Sequence, residues 1–254
     1  MTRLFVPREQ WQGSNVYITG DDTHYITRVL RLGPGDTLTV LDGEGRAFNA
    51  AIKSIDTKKV CLDIIGEIKP DVEPSLKVRL FQAVPKGDKM DLVVQKAAEL
   101  GVAMVVPLVT ERAVVRLDTG RALRRRERWQ KISREAARQC GRTVVPKVLP
   151  VMTLEEALNF FAAERGQAAF PDRLLGIMPW EGEESLSLRD CLTGKRPDTV
   201  SIFIGPEGGF SLAEVRAAQQ QGIATVTLGR RILRTETAGI ITPALVMYTF
   251  GEIG

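Results

Sequence analysis

The sequence predicts an α/β protein: a large domain on a mostly parallel sheet, preceded by a small domain of short strands. Three observations carry this. From Leu76 onward, short apolar runs alternate with longer helical patterns, as in a parallel sheet covered by helices on both faces. Before residue 70 the runs are short, strand-like and separated by turn residues, the pattern of a small barrel. Between the two, Gly66-Glu67-Ile68-Lys69-Pro70-Asp71-Val72-Glu73-Pro74 carries two prolines and alternating charge. That break divides the chain into domains 1–72 and 73–254.

In the first domain, strands are expected at Leu4-Phe5-Val6, Val16-Tyr17-Ile18, Thr37 to Leu41, Ala47 to Ile52 and Val60 to Ile65. Asp42-Gly43-Glu44-Gly45 reads as a hairpin turn. One helix interrupts, from about Asp22 to Leu32, ended by Gly33-Pro34-Gly35. On it Ile26, Val29 and Leu30 face the core. Arg28 and Arg31, with Arg3, are candidate phosphate contacts, because guanidinium forks match phosphate geometry. His24, the single histidine, reads as structural.

In the second domain, Val78 to Val84 is a strand, and Pro85-Lys86-Gly87-Asp88 turns into a helix ending at Leu100, with Gly101 as its C-terminal glycine. Met104 to Val109 is the next strand. A basic helix follows, about Arg121 to Cys140, with Leu123, Ile132, Ala136 and Cys140 as its apolar stripe. Thr153 and Glu156 form a capping box that starts a helix to about Arg165. Leu174 to Met178 is a strand, followed by an acidic, polar loop through Asp198.

The last third holds the sharpest local signals. Val200 to Ile204 and Thr225 to Leu228 read as buried parallel strands. Each turns on glycine toward a helix, through Ile204-Gly205-Pro206-Glu207-Gly208-Gly209-Phe210-Ser211 and Leu228-Gly229-Arg230-Arg231-Ile232-Leu233-Arg234-Thr235-Glu236-Thr237-Ala238. Ligands of open α/β sheets sit outside the carboxyl ends of strands, so the two loops are candidates for one site. Ser211 and Glu214 form a second capping box. Gly205, Gly208 and Gly209 permit positive φ and close approach of a ligand to the backbone. Their spacing is wrong for a dinucleotide fingerprint, and no Gly-Lys-Ser/Thr ends a P-loop. Glu207 would repel a phosphate. A ligand without phosphate, carrying positive charge, fits better; a plain strand–turn–helix junction is the alternative.

Composition excludes several classes. Hydrophobic residues make up 44% and charged residues 26%, ordinary values for a globular protein. No stretch reaches the ~18 apolar residues of a membrane span, and no signal peptide opens the chain; a cytoplasmic protein without membrane contact is expected. Cys61, Cys140 and Cys191 lack zinc spacing, and no metal is expected. Net charge is +4, yet residues 121–142 alone hold nine basic against two acidic residues. Such focusing attracts a polyanion. Arg124, Arg125, Arg126 and Arg142 are therefore candidate RNA contacts; a solvated helix face is the alternative.

The two C-terminal segments, "IGPEGG" and "LGxRxLRxETA", resemble those of the bacterial 16S ribosomal RNA (uracil-N3)-methyltransferase family, within the knotted SPOUT superfamily. Further matches are "RLFVP" at Arg3 to Pro7, "HYITRVLRLGPGD" at His24 to Asp36, "QKAAELGV" at Gln95 to Val102 and "RQCGR" at Arg138 to Arg142. The resemblance implies a PUA-like RNA-binding barrel at the N-terminus and a SPOUT domain with a deep trefoil knot. It implies a homodimer, S-adenosyl-L-methionine as methyl donor, and a uridine of 16S rRNA, in an assembled small ribosomal subunit, as acceptor. Pro243 departs from the family pattern and should kink the last helix, about Thr237 to Phe250, or delay its start. That helix is apolar nearly all round, which suits a core or a subunit interface.

Carried onto these positions, donor contacts fall on Ile204, Gly205, Pro206, Glu207, Gly208, Gly209, Leu228, Gly229, Ile232, Leu233 and Thr235, with Met178 covering the adenine. Arg234 is assigned to electrostatic stabilisation and Glu236 to the base or to positioning; a structural ion pair is the alternative for either. Three rival readings stay open: ribose 2′-O methylation, methylation of a tRNA base, and a non-catalytic RNA-binding protein.

Overall fold

The computed structural model describes residues 2–113 and 119–254. The chain packs as two units: the segment up to Glu73 together with Ala137–Val145, and Pro74–Ala136 together with Pro146–Gly254.

The first unit is a curled six-stranded sheet of β1 (Arg3–Phe5), β2 (Trp11–Gln12), β3 (Asn15–Thr19), β4 (Thr37–Leu41), β5 (Ala47–Ile55) and β6 (Lys59–Ile68). Their spatial order is β1-β4-β5-β6-β3-β2. Only the β1–β4 pair is parallel. Alternate residues point inward: Leu4 and Val6, Val16 and Ile18, Leu38 and Val40, Ala50 and Ile52, Val60 and Leu62 make one core. The edges of this curl meet where the Trp11 indole N–H donates to the Val6 carbonyl at 3.0 Å.

The expected hairpin joins β4 to β5. Its anchor is the fully buried Asp42 side chain, which accepts from the backbone N–H groups of Glu44 and Arg46, both at 2.9 Å, and from the Arg8 and Arg46 guanidiniums. The predicted helix is shorter and irregular. A turn of α1 (Asp21–His24) widens into a π-helical turn over Tyr25–Val29, with Leu30 N–H donating to the Tyr25 carbonyl. The extra residue per turn shifts the side-chain phase. Val29, expected in the core, is 59% exposed as a result.

The second unit is a seven-stranded sheet in which every ladder is parallel. Its strands are β7 (Lys77–Ala83), β8 (Met104–Val109), β9 (Lys147–Val148), β10 (Met152–Thr153), β11 (Leu174–Pro179), β12 (Thr199–Ile204) and β13 (Ile223–Val226). They lie in the order β10-β8-β7-β12-β11-β13, with β9 also on β8. The helices are α2 (Lys89–Glu99), α3 (Thr119–Cys140), α4 (Leu154–Gln167), α5 (Leu188–Leu192), α6 (Leu212–Gln220) and α7 (Thr235–Thr249). Neighbouring strand residues face opposite sides, so two cores form. Leu80, Val105, Ile177 and Ile202 pack with α2, α3, α5 and α7. Phe81, Val106, Met178 and Phe203 pack with α4 and α6.

Both predicted capping boxes are formed, at Thr153/Glu156 and Ser211/Glu214. The acidic loop after β11 is not all loop, since Ser187 caps the short α5. On α3 the apolar stripe differs from expectation. Leu123 is 54% exposed, and buried Trp129 replaces it, its indole N–H donating to Asp91 at 3.1 Å. Helix α7 runs unbroken through buried Pro243 and starts at Thr235, so its start is not delayed. One face of α7 packs on the sheet through Ala238, Thr242, Val246 and Met247; Ile241, Leu245 and Tyr248 on the other are exposed. Among the described residues no helix is long and apolar enough to cross a membrane.

Candidate active site

In the parallel sheet, β11, β12 and β13 are neighbours, so their C-terminal loops converge. A cleft of about 870 Å³ opens there, walled by the first loop (Ile204 to Phe210), the second loop (Thr227 to Thr235) and the segment after β11. Of the predicted donor contacts, Ile204, Gly205, Pro206, Glu207, Gly208, Gly209, Leu228, Gly229, Ile232, Leu233 and Thr235 all line it, as does Arg234.

The first loop is tied down along its length. Glu207 accepts from the Lys86 backbone N–H at 2.9 Å, and Arg112 donates to the Gly208 carbonyl at 3.2 Å. Phe210 is buried, and Ser211 starts α6. Only Gly209 has a positive φ, +67°, so the expectation for Gly205 and Gly208 is corrected. Gly205 is needed for space, since a Cβ there would sit 3.1 Å from the Phe210 ring, whereas one on Gly208 would make an ordinary contact with Arg112 at 3.4 Å. A Cβ on Gly209 would collide with the Glu181 carboxylate.

The second loop is open. Gly229 has φ +107° with nothing around it, Ile232 is 88% exposed, and Arg230, Arg231 and Arg234 are exposed. Its stem is held where Thr227 N–H donates to the Leu186 carbonyl and Leu188 N–H to the Thr227 carbonyl.

Two assignments change. Met178 is fully buried and faces the α4 side of the sheet, because strand alternation turns it away from the cleft; Pro179 and Trp180, next along the chain, line the cleft instead. Glu236 is not part of the lining. It pairs with Lys89 Nζ at 2.9 Å. Burial pushes its carboxyl up, but the Lys89 hydrogen bond, its own backbone N–H and the Lys89 and Arg234 charges outweigh that and hold it below the usual range. So held, it forms the structural ion pair given as its alternative, and a base or positioning role for it belongs to the proposed function.

Sequence reasoning missed Lys89, Trp180, Glu181, Glu183 and Glu184, all in the lining. The rule that ligands sit beyond parallel strand ends, applied to β11 as to its neighbours, points to the last four. Glu183 organises its own segment. Hydrogen bonds from the Ser185 hydroxyl at 2.6 Å and the Thr225 hydroxyl at 2.8 Å, then from the Ser185 and Leu186 N–H groups, lower its pKa to about 2. Glu183 therefore stays ionised at the cleft, whose lining sets Glu181, Glu183, Glu184 and Glu207 against Lys89, Arg230, Arg231 and Arg234. Among the described residues no His/Cys/Asp/Glu group of metal-site type occurs.

The predicted RNA contacts are dispersed. In the first unit, Arg3, Arg28 and Arg31 are exposed, Arg31 with φ +55° at the end of the π turn. Arg142 is corrected. It is 5% exposed and donates to Glu73 through Nε at 3.0 Å and Nη2 at 2.8 Å. Burial pushes Glu73 up, yet Arg142 and the Val144 and Thr143 N–H groups leave it below the usual range; a guanidinium so engaged is structural. On α3, Arg124 is exposed and Arg125 half-buried, while Arg126 donates to the Val148 carbonyl at 3.0 Å and Arg128 pairs with Asp91.

Residues 72–247 match the RNA methyltransferase domain family, and residues 18–65 the RNA methyltransferase PUA domain. The chain is 34% identical to ribosomal RNA small subunit methyltransferase E of Bacillus subtilis, over 91% of this chain and 89% of that protein. Among solved structures, the corresponding enzyme of Neisseria gonorrhoeae bound to S-adenosyl methionine superposes with a TM-score of 0.83 at 33% identity, covering 98% of both chains. A putative methyltransferase of Legionella pneumophila in complex with the same cofactor gives 0.82 at 32% identity, again over 98% of both. With its cleft at the ends of parallel strands and these relatives spanning nearly its full length, the chain belongs to the ribosomal RNA small subunit methyltransferase E family of RNA methyltransferases.

Proposed function

We propose that this S-adenosylmethionine-dependent RNA methyltransferase modifies N3 of a uridine in 16S rRNA, giving 3-methyluridine. The observation that carries the reading is the cleft itself, where two loops beyond β12 and β13, the strands on either side of β11, present backbone, glycine, carboxylates and arginines. When bound, S-adenosylmethionine supplies an electrophilic methyl group on a sulfonium. The chain's residues do the rest. The first loop offers a fixed backbone surface, and Glu181, Glu183, Glu184 and Glu207 offer carboxylates to a cationic group, in a lining that also holds Lys89, Arg230, Arg231 and Arg234. Arg234 stabilises the negative charge that develops on uracil as N3 passes its proton to solvent water, the role of an oxyanion-hole donor. Lys89 and Glu236 act as a pair that positions the start of α7. Alignment of the two reactants accounts for a large part of the rate, up to ~7–11 kcal/mol in well-oriented systems.

RNA contacts are assigned to Arg3, Arg28 and Arg31 in the first unit, and to Arg124, Arg125, Arg230 and Arg231 in the second. A second copy of the chain covers Ile241, Leu245 and Tyr248, which recur at helical spacing on α7, giving a homodimer. The trefoil knot, a cytoplasmic location and an assembled small subunit as substrate belong to the same reading.

The test is label transfer from radiolabelled S-adenosylmethionine to small ribosomal subunits, free 16S rRNA and tRNA side by side, with the nucleoside identified after digestion. The expected product is 3-methyluridine from ribosomal substrates. A 2′-O-methyl nucleoside, or label in tRNA alone, would overturn the acceptor.

A further inference from the structure

The walls of the cleft are joined by one buried hydroxyl. Thr235, the first residue of α7, is 4% exposed. Its Oγ1 donates to the Gly205 carbonyl at 2.5 Å and accepts from Gln82 Nε2 at 2.9 Å. The hydroxyl's single proton is thus committed to one loop while a lone pair takes the amide. Gln82 is fully buried in β7, directly opposite Ile204 in the ladder, and its Nε2 also reaches the Ala83 carbonyl at 3.0 Å. Gln82 Oε1 has no hydrogen-bond partner among the described residues and presses on Gly239, where any Cβ would collide with it.

A buried amide with an unmet acceptor opposes stability. An apolar side chain would fill the same space without that cost. What only the amide provides is the bond that orients the Thr235 hydroxyl toward Gly205. Gly205 opens the first loop, and Thr235 directly follows Arg234 at the end of the second.

We infer that Gln82 and Thr235 are positioning residues whose relay, Gln82 Nε2 to Thr235 Oγ1 to Gly205 O, sets the spacing of the two loops around the methyl donor and places Arg234. The inference rests on the proposed donor site and deepens it. Thr235 lines the cleft, but its hydroxyl serves the loops. Gly239 is glycine because the relay needs the room.

The test compares the wild type with Thr235→Val, Thr235→Ser and Gln82→Met. S-adenosylmethionine binding is followed by calorimetry, alongside donor KM, kcat at saturating donor and the melting temperature of the ligand-free protein. Thr235→Val should weaken donor binding about tenfold or more and raise donor KM in step, with a smaller fall in kcat. Thr235→Ser, which restores the hydroxyl, should return affinity to within about twofold. Gln82→Met should lose about threefold or more, since Thr235 can still reach Gly205 but is no longer oriented. A lower melting temperature with unchanged donor affinity in both Thr235→Val and Gln82→Met would overturn the inference. Should Thr235→Val not fold, Gln82→Met decides by the same affinity criterion, and failure of both to fold would likewise reduce the pair to a stability role. A wild-type protein that binds no S-adenosylmethionine would sink the proposed function instead.

Discussion

The two loops of the cleft occupy equivalent places at the ends of β12 and β13, the strands on either side of β11, yet they are built differently. Between Gly205 and Ser211, backbone or side chain is fastened by Thr235, Lys86, Arg112 and the capping box of α6. Between Gly229 and Arg234, three arginines and an isoleucine are exposed, while Leu233 packs on the core and the two ends are held by Thr227 and Ala238. One wall is preorganised and the other is exposed and cationic. The difference matches the two ligands of a methyl transfer. A small donor, the same at every turnover, favours a rigid seat, while a large polyanion favours mobile guanidiniums.

The strongest way to break this comparison is at Arg234. Arg234→Ala should lower kcat on ribosomal substrate about 10²–10³-fold, as loss of one oxyanion-hole donor does, with donor affinity from calorimetry changed less than about threefold. A variant of normal turnover would remove Arg234 from the chemistry.

The glycines sharpen it next. Gly209 and Gly229 both have positive φ, but Gly209 is packed against Glu181 and Gly229 faces open space. Left-handed backbone costs a non-glycine residue about 1–2 kcal/mol. Gly209→Ala should lose that much folding stability, read as a lower melting temperature, because the fastened loop has no other conformation with or without donor. Gly229→Ala should lose less, because an open loop relaxes. Equal effects would erase the distinction between the walls.

Smaller effects fall on the RNA side. Arg230→Ala with Arg231→Ala should reduce the slope of log K against log salt for rRNA binding by about 0.7–0.9 for each phosphate that is no longer neutralised, without moving donor affinity. Arg142→Ala should leave that slope unchanged and instead lower the melting temperature, because it strands the Glu73 carboxylate.

The smallest effect is one of pH. Glu183 has its pKa lowered from 4.5 to about 2, so its contribution is fully present above pH 4.5 and is lost as pH falls through about 2. A Glu183→Gln variant should bind donor more weakly than wild type at neutral pH. Folded Glu183 stays ionised down to about pH 2, so it is the melting-temperature gap between the two proteins, not the donor gap, that should close as pH falls from 4.5 toward 2. A stability gap that persists at the acid end would show that the Glu183 charge does not hold its segment.

Much of this was legible in sequence where one short-range rule decides the outcome. Short strand-like runs between turn residues located β1, β3, β4, β5 and β6 of the first sheet, though not the two-residue β2, which is too short to form such a run. The capping boxes at Thr153 and Ser211 located helix starts to the residue. The first and second loops were legible because glycine at a parallel strand end has few other uses. What escaped depends on partners far along the chain or on phase. Arg142 meets Glu73, 69 positions away, and Lys89 meets Glu236; neither pairing leaves a mark in local composition. Met178 lies in a strand buried on both faces, so no polar alternation shows which core it joins. Val29 is exposed because one π turn changes the helical period, and no residue type announces such a turn.

If the two loops together form the methyl-donor seat, amide hydrogen exchange with and without saturating S-adenosylmethionine tests it most directly. Slowing should concentrate at residues 204–211 and 228–235, with a smaller effect at 180–186, and residues 2–73 should exchange unchanged. Bound donor with no slowing at either loop, or with slowing confined to the first unit, would contradict a seat built from both.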